Sequence, residues 1–531
     1  MMKQLIPLIC LIYAGLVAAA DTCSPVYPSY WQDPDSQFAD QWKGQVISDK
    51  PPADWTEPVF RLSGDFPRTS QDESADQPWR NGSFDSLFNP NTSEPDRSKL
   101  ANDYAWAVMN YIQEGNIGNA DIDDDWSVCN NQVRSWYHIP FQTYSVLTGR
   151  EFMHGLTRES RLNFSLNGPN GNFTAVGSVW AVAMYNATAA YTLGTVWQPD
   201  GKAIVPTESL QFEEGAVVGK LLFNTLSPAQ LPNLTNVPAW TANISDPNFC
   251  SCSSGTPGAR CTMPQESQQC PRTPSSNRLP LLQFDVAVKD SRAGNTQWVF
   301  ATFVADGQRK ANEPVPWNRI SLLGLMWGND TPPTGILARN YPEDPRENGF
   351  REAVIFWDTV DMLNAAGGAT QSSWPGHLGC NSRLNGPADN QNATCLSCHA
   401  TSSVVDTNNT TVPLVAQFKS TITEQCVLPS NGDPNSGIDA SGANATVQNG
   451  ISFATMDHLF LYNTPTGTPF NSFVGNVNVL GNVPDYGPGE SGNWISLDYS
   501  LQLSISILQW KQWMANKEKE VHTLDAEVPS R

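Results

Sequence analysis

Charged residues are scarce in this chain, and basic ones are the scarcest. Only 16% of the 531 residues are charged, with 31 Lys and Arg against 52 Asp and Glu and a net charge of −21. Nucleic acids and anionic membrane surfaces are both bound by clustered Lys and Arg, so the composition argues against either partner. A disordered chain is also excluded, because 18 Trp and 40% hydrophobic residues supply material for a sizeable core.

Several sequence motifs are missing as well. The chain has no Gly-x-Ser-x-Gly elbow, no Walker loop, no dinucleotide-binding glycine pattern and no His-Glu-x-x-His zinc helix. Hydrolase and nucleotide chemistry therefore have no support from motifs. Long apolar runs are absent after the first twenty residues, and this predicts a protein without a membrane span.

The first twenty residues are typical of a secretory signal. Lys3 precedes an apolar run that starts at Leu5, and Ala18, Ala19 and Ala20 provide small residues for cleavage. The run has roughly 16 apolar residues, fewer than the ~20 of a membrane span. We therefore expect an extracellular protein, or a periplasmic one in a bacterium.

The cysteines and asparagines fit an exported chain. Ten cysteines remain after the signal, an even number that predicts disulfides in an oxidising compartment. Four of them, Cys250, Cys252, Cys261 and Cys270, lie in a stretch that we interpret as a disulfide-stapled loop. Twelve Asn-x-Ser/Thr sites predict a eukaryotic glycoprotein, with an Asn-rich bacterial exoprotein as the alternative: Asn81, Asn91, Asn163, Asn172, Asn186, Asn233, Asn243, Asn329, Asn392, Asn408, Asn409 and Asn444.

The pattern along the chain predicts a mainly β fold with some α. Apolar, β-branched and aromatic runs bounded by turn residues predict strands at Val179–Tyr185, Gly215–Leu222, Leu279–Val288, Gln297–Val304 and Ile320–Trp327. The turn residues 290–295 predict a hairpin between the third and fourth runs. Helical periodicity predicts helices at Ser98–Gln113 and Leu501–Lys517.

One motif carries specific chemistry. Cys395-Leu396-Ser397-Cys398-His399 is Cys-x-x-Cys-His, the usual attachment signature of c-type haem. Two thiols on one helical turn can form thioethers with the haem vinyl groups, while the imidazole of His399 binds iron. Two alternatives remain: a disulfide or redox-active cysteine pair, and a zinc site shared with His377-x-x-Cys380.

Segments upstream of this motif resemble the cytochrome P-four-sixty and cytochrome c-prime-beta family. The resemblance is carried by Phe212–Lys220 (FEEGAVVGK), by Phe284–Ser291 (FDVAVKDS) with the following Trp-Val-Phe, and by the haem motif after these strands. It implies a β-sheet haem-binding domain at 160–400, with insertions at 226–278 and 305–394. An N-terminal region, 21–159, and a C-terminal extension, 401–531, then flank it.

The family also suggests roles for individual residues. His399 would be the proximal ligand of one covalent haem c, held by Cys395 and Cys398. Lys220 occupies the position of a lysine that bonds to the haem macrocycle, and Asp285 that of a proton-transferring carboxylate, usually Glu. Family members oxidise hydroxylamine or bind nitric oxide, so the resemblance implies redox chemistry on a small molecule, or electron transfer with a redox partner.

The residues themselves leave alternatives to these roles. Lys220 and Asp285 could be ordinary outward-facing strand residues, whereas burial beside a haem would lower the pKa of the Lys220 amine. The haem could also have been lost, leaving a disulfide-stapled extracellular glycoprotein. The segment from His154 to Glu159 brings basic and acidic groups together, which suits a haem propionate. Candidates for a sixth iron ligand are His138, His154, His377, His458, His522, Met153 and Met456.

Overall fold

The computed structural model describes residues 65–117, 126, 128, 131–141, 154–168, 171–199, 202–242, 244, 278–330, 350–367, 378–379, 382–389, 393–405, 494–511 and 514. Within them the strands are β1 Thr157–Gly168, β2 Gly171–Tyr185, β3 Val217–Asn224, β4 Ala239–Thr241, β5 Arg278–Lys289, β6 Trp298–Ala305, β7 Ile320–Met326, β8 Ala353–Ile355, β9 Ser403–Val405 and β10 Trp494–Ser496. The helices are α1 Asp96–Gln113, α2 Ala187–Val196, α3 Trp357–Gly367, α4 Cys395–His399 and α5 501–511.

A large antiparallel sheet dominates the fold. Its strand order is β1-β2-β3-β5-β6-β7-β8, and β4 pairs with the beginning of β5. The predicted mainly β fold with some α is confirmed, as are the five predicted strand runs and the β5–β6 hairpin. Sequence periodicity missed β1, most of the long β2 and the short β8.

Helix α1 covers one face of this sheet. Trp106 packs edge-on against Phe303 with ring centroids 5.1 Å apart, and Ile112 lies against Gly219 of β3. Side chains of α1 belong to the same buried apolar cluster as the central strands. Because both faces of the central strands are covered, β6 and β7 are buried along their whole length.

The opposite face carries the chain around the Cys-x-x-Cys-His motif. Helix α4 lies on this face, and β9 follows it after three residues. Strand β9 pairs with β10 in a two-stranded ribbon, and α5 begins soon after β10 ends. The predicted amphipathic helix is thus confirmed as far as residue 511, and Val405 and Trp494 pair in the ribbon although they are far apart in sequence.

Three of the twelve predicted glycosylation sites are buried in the structure. Asn186, Asn233 and Asn329 are each at most 3% exposed. Asn186 caps α2 by accepting a hydrogen bond from the Ala189 amide, so its side chain is buried and already forms a hydrogen bond within the protein. A glycan at these positions is incompatible with this structure, whereas Asn81 and Asn91 are exposed.

Other predictions concern residues outside the described ranges. The signal at 1–20, the cysteine-rich loop at 250–270 and most of the remaining Asn-x-Ser/Thr sites belong to this group. Across the part of the chain that is described, no helix combines the length and the apolar character that crossing a membrane requires. The signal, the disulfides and the domain boundaries stay predictions.

Candidate haem site

The structure brings all five predicted site residues to one cavity. The cavity has a volume of about 410 Å³, within the range of small-molecule and cofactor sites. Its wall is formed by strands β1, β3, β5 and β6, the loop before α4, α4 itself and α5. The predicted residues in this wall are Lys220, Asp285, Cys395, Cys398 and His399.

The sheet register explains why two of them meet. Lys220 on β3 lies directly opposite Asp285 on β5, and Asp285 lies opposite Thr302 on β6. Cross-strand partners share a face, so the three side chains form a polar row across neighbouring strands. This row faces the cavity, and the alternative of outward-facing strand residues is therefore wrong for Lys220 and Asp285.

A capping box starts the motif helix α4. The Thr394 hydroxyl accepts a hydrogen bond from the Ser397 amide at 3.2 Å, and the Ser397 hydroxyl accepts one from the Thr394 amide at 2.8 Å. The Cys395 amide donates to the carbonyl of Leu384, which ties α4 to the preceding loop. These bonds place both motif cysteines in the cavity wall.

The two motif cysteines carry free thiols. Cys395 and Cys398 are the only two cysteines among the described residues, and neither forms a disulfide in the structure. Burial, aided by Asp389, raises the pKa of the Cys395 thiol well above its usual value and that of Cys398 to about 12. A redox-active cysteine usually has a lowered thiol pKa, and the shift of both thiols here is in the opposite direction.

His399 is arranged as a neutral imidazole. Its Nδ1 lies 2.8 Å from the backbone carbonyl oxygen of Tyr499, an acceptor, so the Nδ1–H tautomer is the one that forms this hydrogen bond. Burial lowers the His399 pKa to about 4. The Phe300 ring, 4.5 Å away between centroids, packs against the imidazole. Nε2 then keeps its lone pair, as a metal-ligating histidine requires.

Two carboxylates share one buried amide on the sheet side of the cavity. The Gln283 Nε2 group donates to both oxygens of Asp285 at 2.8 Å and to Asp389 at 3.0 Å. Thr302 donates a further bond to Asp285 at 2.9 Å. Burial, reinforced by the negative charge of Asp389, raises the Asp285 pKa to about 8, and burial also raises the Asp389 pKa.

Lys220 is held as a cation by its neighbours. Its Nζ lies 2.8 Å from a carboxylate oxygen of Glu159. Burial works to lower the Lys220 pKa, but Glu159, Asp389 and Asp285 outweigh it and the net shift is upward. This upward shift is opposite to the lowering expected for a lysine buried beside a haem, because three carboxylates surround Lys220. A bulge between Arg158 and Arg161 interrupts the β1–β2 pairing at Glu159.

The C-terminal segment completes the cavity wall. Leu501, Gln502, Ile505 and Gln509, all on α5, line the cavity, and Tyr499 supplies the carbonyl bound by His399. Part of the C-terminal extension therefore belongs to the site itself. Of the proposed sixth ligands, His138 and His154 are described, and neither lines the cavity. The other five candidates lie outside the described residues.

Sequence reasoning missed several contributors to the site. Asp389 stands six residues before the motif in a Gly-Pro-Ala-Asp turn, and its place so close to the motif was the one available signal. Gln283 alternates in phase with Asp285 on β5, so strand periodicity could have placed both on one face. No sequence pattern marks the carbonyl of Tyr499, since it is a backbone group.

The residues in the wall fit a covalently bound haem. Two free thiols and a neutral imidazole come from one helical turn, and an apolar ring, Phe300, packs beside the ligand. No group of three or more His, Cys, Asp and Glu side chains in the described residues is arranged to hold a metal ion. His377 and Cys380, the other half of the zinc alternative, lie outside the described ranges.

The chain was compared with protein families, curated proteins and solved structures, and none of these comparisons found a similar protein.

Proposed function

We propose that this chain is a secreted single-haem c-type protein whose cavity carries out redox chemistry on a small molecule. Cys395 and Cys398 would hold the haem through thioethers, and the imidazole of His399 would supply a nitrogen ligand to its iron. When bound, the haem provides an iron centre that exchanges electrons. The observation that carries the proposal is the neutral His399 imidazole, which lies in one cavity with both free thiols and uses Nδ1 for the Tyr499 carbonyl.

The polar row gives the cavity a means of handling protons. Asp285, with its pKa raised to about 8, is mostly protonated at neutral pH. In that form it can donate a proton to a molecule in the cavity, and the resulting carboxylate can take one back. Gln283 and Thr302 keep the carboxyl group oriented through their hydrogen bonds. Lys220, paired with Glu159, lies directly opposite and stabilises the ionised form.

The same wall favours substrate binding over simple electron transfer. His399 is the one His or Met side chain among the described residues that line the cavity. An electron carrier usually has two strong protein ligands on its iron, whereas an enzyme or gas-binding protein leaves one position open. The described part of the wall thus supports a small molecule, of the hydroxylamine or nitric oxide type, as the partner of the iron.

The test starts from the full-length chain, produced in a host that attaches c-type haem. We expect a Soret band and a haem-stained band that survive denaturation, with a haem-modified peptide containing Cys395 and Cys398. The Cys398→Ala variant should lose part of the covalent attachment. Thr394→Ala is the matched control, because it weakens the cap of the same helix and keeps every attachment residue.

A second measurement separates the two redox roles. Rapid binding of nitric oxide or cyanide to the purified haem protein is expected for an open iron position. A six-coordinate spectrum that these ligands do not perturb would instead indicate electron transfer. Colourless protein without iron, in which Cys395 and Cys398 are found in disulfide-linked peptides, would overturn the proposal and favour a glycoprotein that has lost its haem.

A further inference from the structure

The carbonyl that binds His399 comes from a strained corner of the backbone. Asp498 and Tyr499 have φ values of 50° and 64°, so two consecutive residues with side chains adopt the left-handed conformation. Such residues are uncommon, and adjacent ones persist only where surrounding contacts hold them. The contacts that hold this corner are therefore part of how His399 is oriented.

Asp498 is the anchor of the corner. Its side chain is 4% exposed and forms a salt bridge of 2.7 Å with Lys289, which is 5% exposed. It also accepts hydrogen bonds from the Trp298 indole at 3.1 Å and from the Phe212 amide at 2.7 Å. Three separate parts of the chain thus converge on one carboxylate next to the residue that contacts His399.

The β9–β10 ribbon brings the corner to the motif. Ser403 pairs with Ser496 and Val405 with Trp494, so the chain that leaves β10 runs antiparallel to the chain that enters β9, back toward the end of α4. The Leu497 amide donates to the Ser402 carbonyl, which continues the contact toward the motif. The ribbon sets the distance between the two segments, and the Asp498 contacts set the direction of the Tyr499 carbonyl.

We propose that Asp498, through its buried pair with Lys289, is a positioning residue for the iron ligand His399. It holds the Tyr499 carbonyl within hydrogen-bonding distance of Nδ1, which fixes the tautomer and the ring orientation and would leave the Nε2 lone pair available to a metal. A carbonyl that accepts from Nδ1–H also makes the imidazole a stronger donor and favours oxidised iron. The inference rests on the proposed function in assigning His399 to iron.

The first readout does not need haem. In the full-length chain carrying Cys395→Ser and Cys398→Ser, ¹⁵N-histidine NMR should find His399 as the Nδ1–H tautomer, with a slowly exchanging proton. Asp498→Asn, which keeps the shape and removes the charge, should speed exchange of that proton roughly tenfold or more and mix the tautomers. Trp298→Phe removes one bond to Asp498 and should produce a smaller change in the same direction.

The second readout uses the haem-loaded protein. Asp498→Asn and Trp298→Phe should both raise the reduction potential, because the weakened hydrogen bond makes His399 a poorer donor to oxidised iron. Asp306→Asn is the matched control. It also disrupts a buried carboxylate paired with an arginine, Arg309, but outside the cavity wall, so it should lower thermal stability and leave the potential unchanged.

The two readouts separate the failure of this inference from that of the proposed function. If the protein never acquires haem, the proposed function fails, while the NMR measurement still tests the role of Asp498. An unchanged His399 tautomer and exchange rate in folded Asp498→Asn and Trp298→Phe variants would overturn the inference. Equal changes in the Asp306→Asn control would overturn it too, since they would follow from lost stability alone.

Discussion

Replacing Asp285 by Asn should stabilise the haem-free protein at alkaline pH and have almost no effect near pH 4. Asp285 lies in the cavity wall, where burial and the nearby Asp389 raise its pKa from 3.8 to about 8. Asn keeps the shape of the protonated carboxyl group, and its oxygen can still accept bonds from Thr302 and Gln283. The substitution therefore removes the ionisation and preserves most of the contacts.

The sign follows from proton binding in the two states. The unfolded chain releases the Asp285 proton near its ordinary pKa of 3.8, whereas the folded protein keeps it until about pH 8. Wild-type stability therefore falls as pH rises through this window, by at most about 1.4 kcal/mol per pH unit. Water reaches this partly buried group through the cavity, so we expect about half of that dependence and an advantage of about 2–3 kcal/mol for the variant at pH 8.

Urea unfolding between pH 4 and pH 9 measures this difference directly. Wild type and Asp285→Asn are compared in the Cys395→Ser/Cys398→Ser background, so that haem does not contribute. Asp103→Asn, at an exposed carboxylate on α1, is the control for loss of one negative charge. A difference between wild type and variant that stays constant with pH, or that favours wild type at pH 8, would refute the reasoning.

Three further substitutions test other parts of the site. Gly386→Ala should destabilise the protein by about 1–3 kcal/mol in thermal unfolding, since the new methyl would lie 2.2 Å from the Gln283 amide nitrogen; unchanged stability would contradict this close packing. Thr394→Ala should cost about 1 kcal/mol by loss of the α4 cap, and chemical unfolding that gives no loss would argue against the cap. Lys220→Met should lower stability at pH 7 by leaving Glu159 unpaired, and adding Glu159→Gln should recover much of the loss; a double variant no better than the single one would refute the pairing.

The sheet was largely predictable from the sequence, for a physical reason. Strands β5, β6 and β7 are buried between two layers, so their sequences are continuous apolar runs that stand out from polar turns. Strand β1, Thr157–Gly168, has the polar sequence TRESRLNFSLNG, which carries no such signal. It was missed, although Glu159 in this strand pairs with Lys220.

The motif residues of the site were predictable, but the shell around them was not. Cys395, Cys398 and His399 are close in sequence, so one helical turn brings them together. Glu159 and the Tyr499 carbonyl reach the same site from distant parts of the chain, across separations that local patterns do not report. The raised Lys220 pKa was missed for the same reason, because the sequence does not show that Glu159 and Asp389 lie beside it.

The most direct test of the account is the absorption spectrum of the purified full-length protein before and after denaturation. A covalent haem on Cys395 and Cys398 predicts a Soret band that stays with the polypeptide under denaturing conditions, together with a haem-modified peptide spanning Cys395–His399. A colourless, iron-free protein from a host that attaches c-type haem, with both thiols unmodified or paired in disulfides, would contradict it.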